Sequence, residues 1–155
     1  MRSKPTEALL DVNLLIAAVF ADHENHCAAR QFVEELTRFW TTPTTQGGFL
    51  RFATRPWKNA RKEEQPPRLS MADALAKLRE LTTAGGHEFL ADDAPFTTLE
   101  AQFLQGHRQW TDAYLIQLAR QHKLTLASLD ARMESLDLPA SPVLFLVVNT
   151  GRSTP

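Results

Sequence analysis

Apolar residues recur along this chain in two alternating rhythms. Short hydrophobic runs at 7–11 (EALLD), 39–42 (FWTT), 87–92 (HEFLAD), 124–129 (LTLASL) and 142–148 (PVLFLVV) have the length and composition of buried strands. Between them, apolar positions follow helical spacing at 12–20, 24–39, 71–83 and 112–122. Local signals punctuate the pattern. Pro43 is placed to start a helix after the second strand, Ser70 with Asp73 reads as a capping arrangement, Gly85 and Gly86 as a stop, and Thr111 as an N-cap. The Pro- and charge-rich stretch 56–68 reads as an exposed connection. Strands alternating with helices predict a three-layer α/β/α sandwich around a central, mostly parallel sheet, with 142–148 a central or late strand.

Composition narrows the class without naming a function. The chain has 155 residues, enough for one domain over 1–150 with a polar tail at 151–155. Its formal net charge of -1 provides no overall attraction for nucleic acid, so any such contact needs a local patch. A single cysteine, Cys27, excludes an internal disulfide, and no segment has the apolar length of a signal sequence or membrane span. The expected setting is therefore the cytoplasm, with no membrane association.

Three aspartates carry the candidate chemistry. Asp11 and Asp130 each follow an apolar strand, and Asp112 opens the apolar helix that precedes the second of those strands. In open parallel sheets the ligand site lies beyond the carboxyl ends of the strands. If three carboxylates converge there, two like charges at ~4 Å repel by about 4 kcal/mol at an effective dielectric near 20, so a cation is needed. Oxygen-only donors suit Mg²⁺ or Mn²⁺, and no thiolate or histidine cluster points to zinc. Taken singly, each aspartate also reads as an ordinary helix cap.

The segments LLDVNLLIAA (9–18), DHENHCAARQFVEEL (22–36), TTPTTQGGFLR (41–51), TDAYLIQLA (111–119) and LASLD (126–130) together resemble PIN-domain ribonuclease toxins of the VapC type. The resemblance spans about 7–148. It implies that Asp11, Asp112 and Asp130 are catalytic, metal-binding acids, with Asn13, Gln46 and Ser128 in support. It further implies metal-dependent hydrolysis of RNA that leaves a 5′-phosphate and a 3′-hydroxyl, a cognate antitoxin protein and a homodimer. One departure stands out: many members carry a glutamate where this chain has Gln46, a neutral amide and a weaker metal-facing ligand. That substitution keeps open an alternative, a catalytically silent PIN-fold protein that binds RNA or a partner.

Other residues admit two readings. Arg51, Arg55 and Lys58, with Arg61, Lys62 and Trp57 nearby, are candidates for holding RNA, or else form a solvated linker balanced by Glu63 and Glu64. His23 and His26 read as helix-start residues more readily than as metal ligands. His107 and Arg108 precede Asp112 and reach either substrate or solvent. Cys27, Phe32, Phe39, Trp40 and Phe49 read as packing, a subset of the aromatics being available to a dimer surface, and Asp92 and Asp93 as loop caps in preference to a further acid at the site. A dehalogenase-type phosphotransferase needs a second aspartate two residues after the first, where this chain has Asn13. A Rossmann binder needs a Gly-rich turn after the first strand, and none is present.

Overall fold

The computed structural model describes residues 3–148 apart from 101 and 103, so the expected polar tail at 151–155 lies outside the described residues. Five parallel strands form one sheet: β1 (Glu7–Leu10), β2 (Arg38–Thr41), β5 (His87–Phe89), β6 (Leu126–Ser128) and β7 (Leu144–Leu146), in the spatial order β5-β2-β1-β6-β7. The run at 142–148 is thus a late strand at the sheet's edge and not a central one. From β1 the chain winds outward in one direction through β2 and β5, then returns to β6 and winds the other way. The switch point therefore falls between β1 and β6.

The helices are α1 (Val12–Val19), α2 (His26–Glu35), α3 (Pro43–Thr54), α4 (Met71–Thr83) and α5 (Trp110–Gln121). Alternation along the strands divides them between two layers. Ala8 and Leu10 of β1 share a core with Leu14, Leu15 and Ala17 of α1, Phe32 of α2, Phe49 of α3 and Leu78 of α4. Leu9 faces the other way and packs with Tyr114, Leu115 and Leu118 of α5 and with Met133. Each such leucine, fully removed from water, contributes about 1.5–3 kcal/mol of transfer free energy. The α/β/α sandwich expected from the sequence is what the chain forms.

Several boundaries move inward for identifiable reasons. The helix expected over 24–39 ends at Glu35, because the Thr37 amide donates to the Thr6 carbonyl and draws the next residues into the sheet. Thr111 is not the N-cap of α5. A 3-10 turn, His107–Gln109, feeds the helix already wound, so the capping position falls on Gln109, which makes no side-chain cap bond. The connection 56–68 contains a small antiparallel hairpin, β3 (Trp57–Lys58) with β4 (Glu64–Gln65), turning at Lys62 with φ 63°. Cys27 is exposed and not core, since α2 buries Ala29 and Phe32, and Cys27 points away from that stripe.

Two local devices set α3 against α1. Thr42 and Thr45 form a reciprocal capping box, with Pro43 at the first helical turn. Gly48 then lets the helices close. A Cβ there would lie 2.6 Å from a methyl of Val12.

Candidate active site

Asp11 leaves β1 and caps α1 from an extended backbone. One carboxylate oxygen accepts from its neighbour's amide, Val12 N, at 2.7 Å, and the other from Ser128 Oγ at 2.7 Å. Ser128, fully buried at the end of β6, joins the surrounding groups. Its hydroxyl proton goes to Asp11, its oxygen accepts from Asp130 N at 3.0 Å, and Asn13 Oδ1 stands 3.3 Å away while accepting from Leu129 N at 3.2 Å. Adjacent strands thus clamp Asp11, Asn13 and the backbone of Asp130 into one unit, because β1 and β6 are register-paired at Leu10 and Ala127.

Asp112 enters from the other layer, in the first turn of α5. Its carboxyl is half-buried and its pKa is pushed up to about 6, first by desolvation, then by the charges of Asp11 and Asp130, with Arg132 opposing. Asp11 is also raised, mainly by burial, while the hydrogen bonds from Ser128 and Val12 hold it down. Asp130 moves the other way, below the usual carboxylate range, because Arg132 hydrogen-bonds to it. The three candidate acids therefore sense one another across the β1/β6 switch.

The donor set fits a hard divalent cation: carboxylates only, two of them destabilised as anions by burial and mutual repulsion. Among the described residues, however, no three acidic, histidine or cysteine side chains already close on one point. At Asp130 the carboxylate is already engaged: Arg132 Nε and Nη2 take its two oxygens at 2.9 and 2.7 Å, and the Arg132 amide donates to Oδ1 at 2.9 Å. Sequence reasoning did not single out Arg132. Its signal was an arginine two residues beyond a strand-end aspartate.

Gln46 lies in the first turns of α3, and its amide Nε2 donates to Thr41 Oγ1 at 3.0 Å. Thr41 Oγ1 also hydrogen-bonds Nε2 of His87 at 2.7 Å, an imidazole whose pKa burial lowers. Gln46 is thus engaged by β2 and β5, and no hydrogen bond ties it to the three acids. Asp92 caps the same helix by accepting from Thr44 N and Oγ1 at 2.9 and 2.8 Å, and Asp93 accepts from His122 at 2.7 Å. His26 donates to the Ala17 carbonyl and His23 accepts from Asn25 N, both within the α1–α2 junction. His107 and Arg108 sit exposed on the turn before α5. Arg51, Arg55 and Lys58 are not brought to the acids. They occupy the last turn of α3 and the hairpin beyond it.

Residues 8–138 match the PIN domain. This chain belongs to the PIN-domain family. Within that family it is similar to ribonucleases of the VapC type. It is 37% identical over 145 residues to ribonuclease VapC38 of Mycobacterium tuberculosis, covering 91% of this chain and 99% of that protein. It is 40% identical over 129 residues to ribonuclease VapC29 of the same species, covering 83% and 89%. Two solved structures share the fold. M. tuberculosis VapC20, described as a sarcin-ricin loop cleaving toxin, superposes with a TM-score of 0.61 at 12% identity, over 87% of this chain and 98% of that one. VapBC2 of Rickettsia felis, bound to a DNA fragment from their promoter, gives 0.56 at 11%, over 90% and 98%. In this PIN domain the sheet's switch point, the expected place for a ligand, is where Asp11, Ser128 and Asp130 meet.

Proposed function

We propose that this PIN domain is an RNA-cleaving hydrolase, the endoribonuclease toxin of a type II toxin-antitoxin pair, working in the cytoplasm. The observation that supports the reading is that the charges of Asp11 and Asp130 raise the Asp112 carboxyl at the β1/β6 switch, where Ser128 ties Asp11 to the Asp130 backbone. A divalent cation such as Mg²⁺ or Mn²⁺, when bound there, supplies charge neutralisation and a more acidic water for attack on a phosphodiester. Asp11, Asp112 and Asp130 are the residues proposed to hold it.

The remaining work falls to side chains already in place. Ser128 Oγ and the Val12 amide fix the orientation of the Asp11 carboxylate, so that its rotamer is set before any ligand arrives. The Leu129 amide fixes Asn13 in the same way. With its pKa pushed up to about 6, Asp112 is mostly ionised at neutral pH, and a cation held there would favour that charged form further. Arg51, Arg55 and Lys58 are proposed to contact RNA away from the acids. A cognate antitoxin and a homodimer complete the proposed assembly, supported by the likeness to the VapBC2 structure for the antitoxin and by the family resemblance for the dimer. Among the described residues no helix is long and apolar enough to cross a membrane.

A second reading, a silent RNA- or partner-binding PIN domain, draws on two observations: Gln46 supplies no charge and is bound to Thr41, and Arg132 occupies Asp130. One experiment separates the two. Mixed cellular RNA is incubated with purified, antitoxin-free protein in Mn²⁺ or Mg²⁺, with chelator, and with an identically purified Asp112→Asn variant. Discrete fragments only in the wild-type reaction with metal support the hydrolase. Identical patterns from wild type and variant overturn it in favour of the silent protein.

A further inference from the structure

Residues 51–68 carry six arginines or lysines against two glutamates, a local excess of four in a chain of net charge -1, which leaves the remainder at -5. None of the six enters an ion pair among the described residues. Glu63, the nearest balancing charge, accepts instead from Asn59 Nδ2 at 2.8 Å. A solvated linker would let such cations find the adjacent carboxylates.

At the centre of the patch Arg68 lies between two rings. Its guanidinium carbon is 4.3 Å from the Phe52 centroid and 4.4 Å from that of Trp57. Arg55 stands 5.6 Å over the same Phe52 ring. The stack pins the guanidinium plane, yet Arg68 donates no hydrogen bond to the described chain, and its Nη1 is buried without a partner. An unpaired buried donor is costly, the more so when charged, and a residue so placed is one that a ligand satisfies. Arg55, Lys58 and Arg68, with Phe52, Trp57 and one carboxylate, Glu64, line a cleft of about 420 Å³, three cations against a single acid.

We infer that this cleft is a phosphate-binding subsite for the RNA backbone, separate from the three acids. The inference rests on the hydrolase reading for the identity of the strand. Phe20, just beyond α1, contacts Phe52 at 5.7 Å, whereas Asp11 caps the other end of that helix. Eight residues of helix at about 1.5 Å each put the Phe20 end roughly 12 Å from Asp11, with the cleft beyond it. A strand whose cut bond lies at Asp11 thus reaches the cleft with a phosphate several bonds away. RNA is favoured over an acidic peptide because evenly repeated phosphates match cations strung along α3 and the hairpin, and the fork of Arg68 suits a phosphate in bidentate contact. Sequence-independent grip is what such a combination of arginine and aromatic side chains provides.

The test is binding in chelator, where no cleavage occurs. A fluorescein-labelled single-stranded RNA of mixed sequence is titrated with wild type, Arg68→Gln, Arg55→Gln and, as a remote control, Lys77→Gln, with melting curves for each. The expected result is affinity about three- to tenfold lower for the first two variants, with the salt dependence flattened by about 0.7 per lost phosphate contact, and no change for Lys77→Gln. Arg55→Gln, altering an exposed side chain, keeps the test valid if Arg68→Gln unfolds. Unchanged RNA affinity in folded variants overturns the proposal, as does a loss seen only for a polyglutamate peptide titrated in parallel, which would assign the cleft to an acidic partner. The outcomes are separable from the hydrolase reading, because Asp112→Asn should abolish cleavage in Mn²⁺ whatever the cleft binds.

Discussion

Arg132 holds Asp130 by both carboxylate oxygens from a side chain that is 90% exposed. The arginine stands two residues from its partner, which caps the 3-10 turn, so rotation of its side chain removes the ion pair while the Arg132 backbone amide still donates to Asp130 Oδ1 at 2.9 Å. It acts as an intramolecular stand-in for a cation. Replacing it with Gln should lower the half-saturating Mn²⁺ concentration at pH 8 by about three- to tenfold, a modest electrostatic competition at an exposed site. Isothermal titration calorimetry measures it. Weaker binding in the variant would instead make Arg132 a residue that organises the site.

Asp112→Asn should abolish metal-dependent cleavage and, in chelator at pH 7.5, raise the melting temperature. The sign follows from the shift. A carboxyl whose folded pKa is about 6, above its unfolded value, binds more protons in the native state between roughly pH 4 and 6, so stability falls as pH rises through that window. Removing the charge relieves the loss by about 2–4 °C at pH 7.5, and the gain should vanish by pH 4. Calorimetry at the two pH values checks both parts. A lower melting temperature at pH 7.5 would mean that the carboxylate has a structural partner.

Ser128→Ala removes a buried hydroxyl that serves Asp11, Asn13 and the Asp130 amide together. The expected cost is about 1–3 kcal/mol of stability from the acceptors and donor left unpaired. Activity at fixed Mn²⁺ should drop about 10- to 100-fold, the usual penalty for losing a group that orients a ligand. Urea unfolding and RNA cleavage read the two effects. A stability loss with full activity would confine Ser128 to packing.

Gly48→Ala places a methyl against Val12, where the available gap is 2.6 Å. Overpacking should cost about 1–3 kcal/mol. Val12→Ala in the same chain should recover part of it, a coupling that a double-mutant cycle detects. Additive losses would show that the two helices are free to move apart.

Much of this protein was readable before any coordinates. Periodicity alone separates the five strands from the helices, and the strand-end positions of Asp11 and Asp130 follow from hydrophobic runs that must stop where the sheet does. Pro43 and Ser70 mark helix starts by chemistry local to a few residues, which is why those signals held. Boundaries set by distant partners were not readable. Nothing in residues 24–39 announces that Thr37 will pair with Thr6, and nothing near Thr111 reveals that the preceding turn is already wound.

The sequence by itself determined the alternation of elements and the parallel sheet, and it picked out three candidate acids, because each is read from patterns within or between neighbouring elements. Tertiary structure decided how those acids are held. Ser128 bridges Asp11 to the Asp130 backbone across 117 residues, Gln46 is bound toward Thr41 and His87, and Arg68 comes to rest between Phe52 and Trp57. The physical reason is common to all of them: directed hydrogen bonds and ring contacts act over a few ångströms. Which partners come that close is settled only when the sheet brings residues distant in sequence side by side.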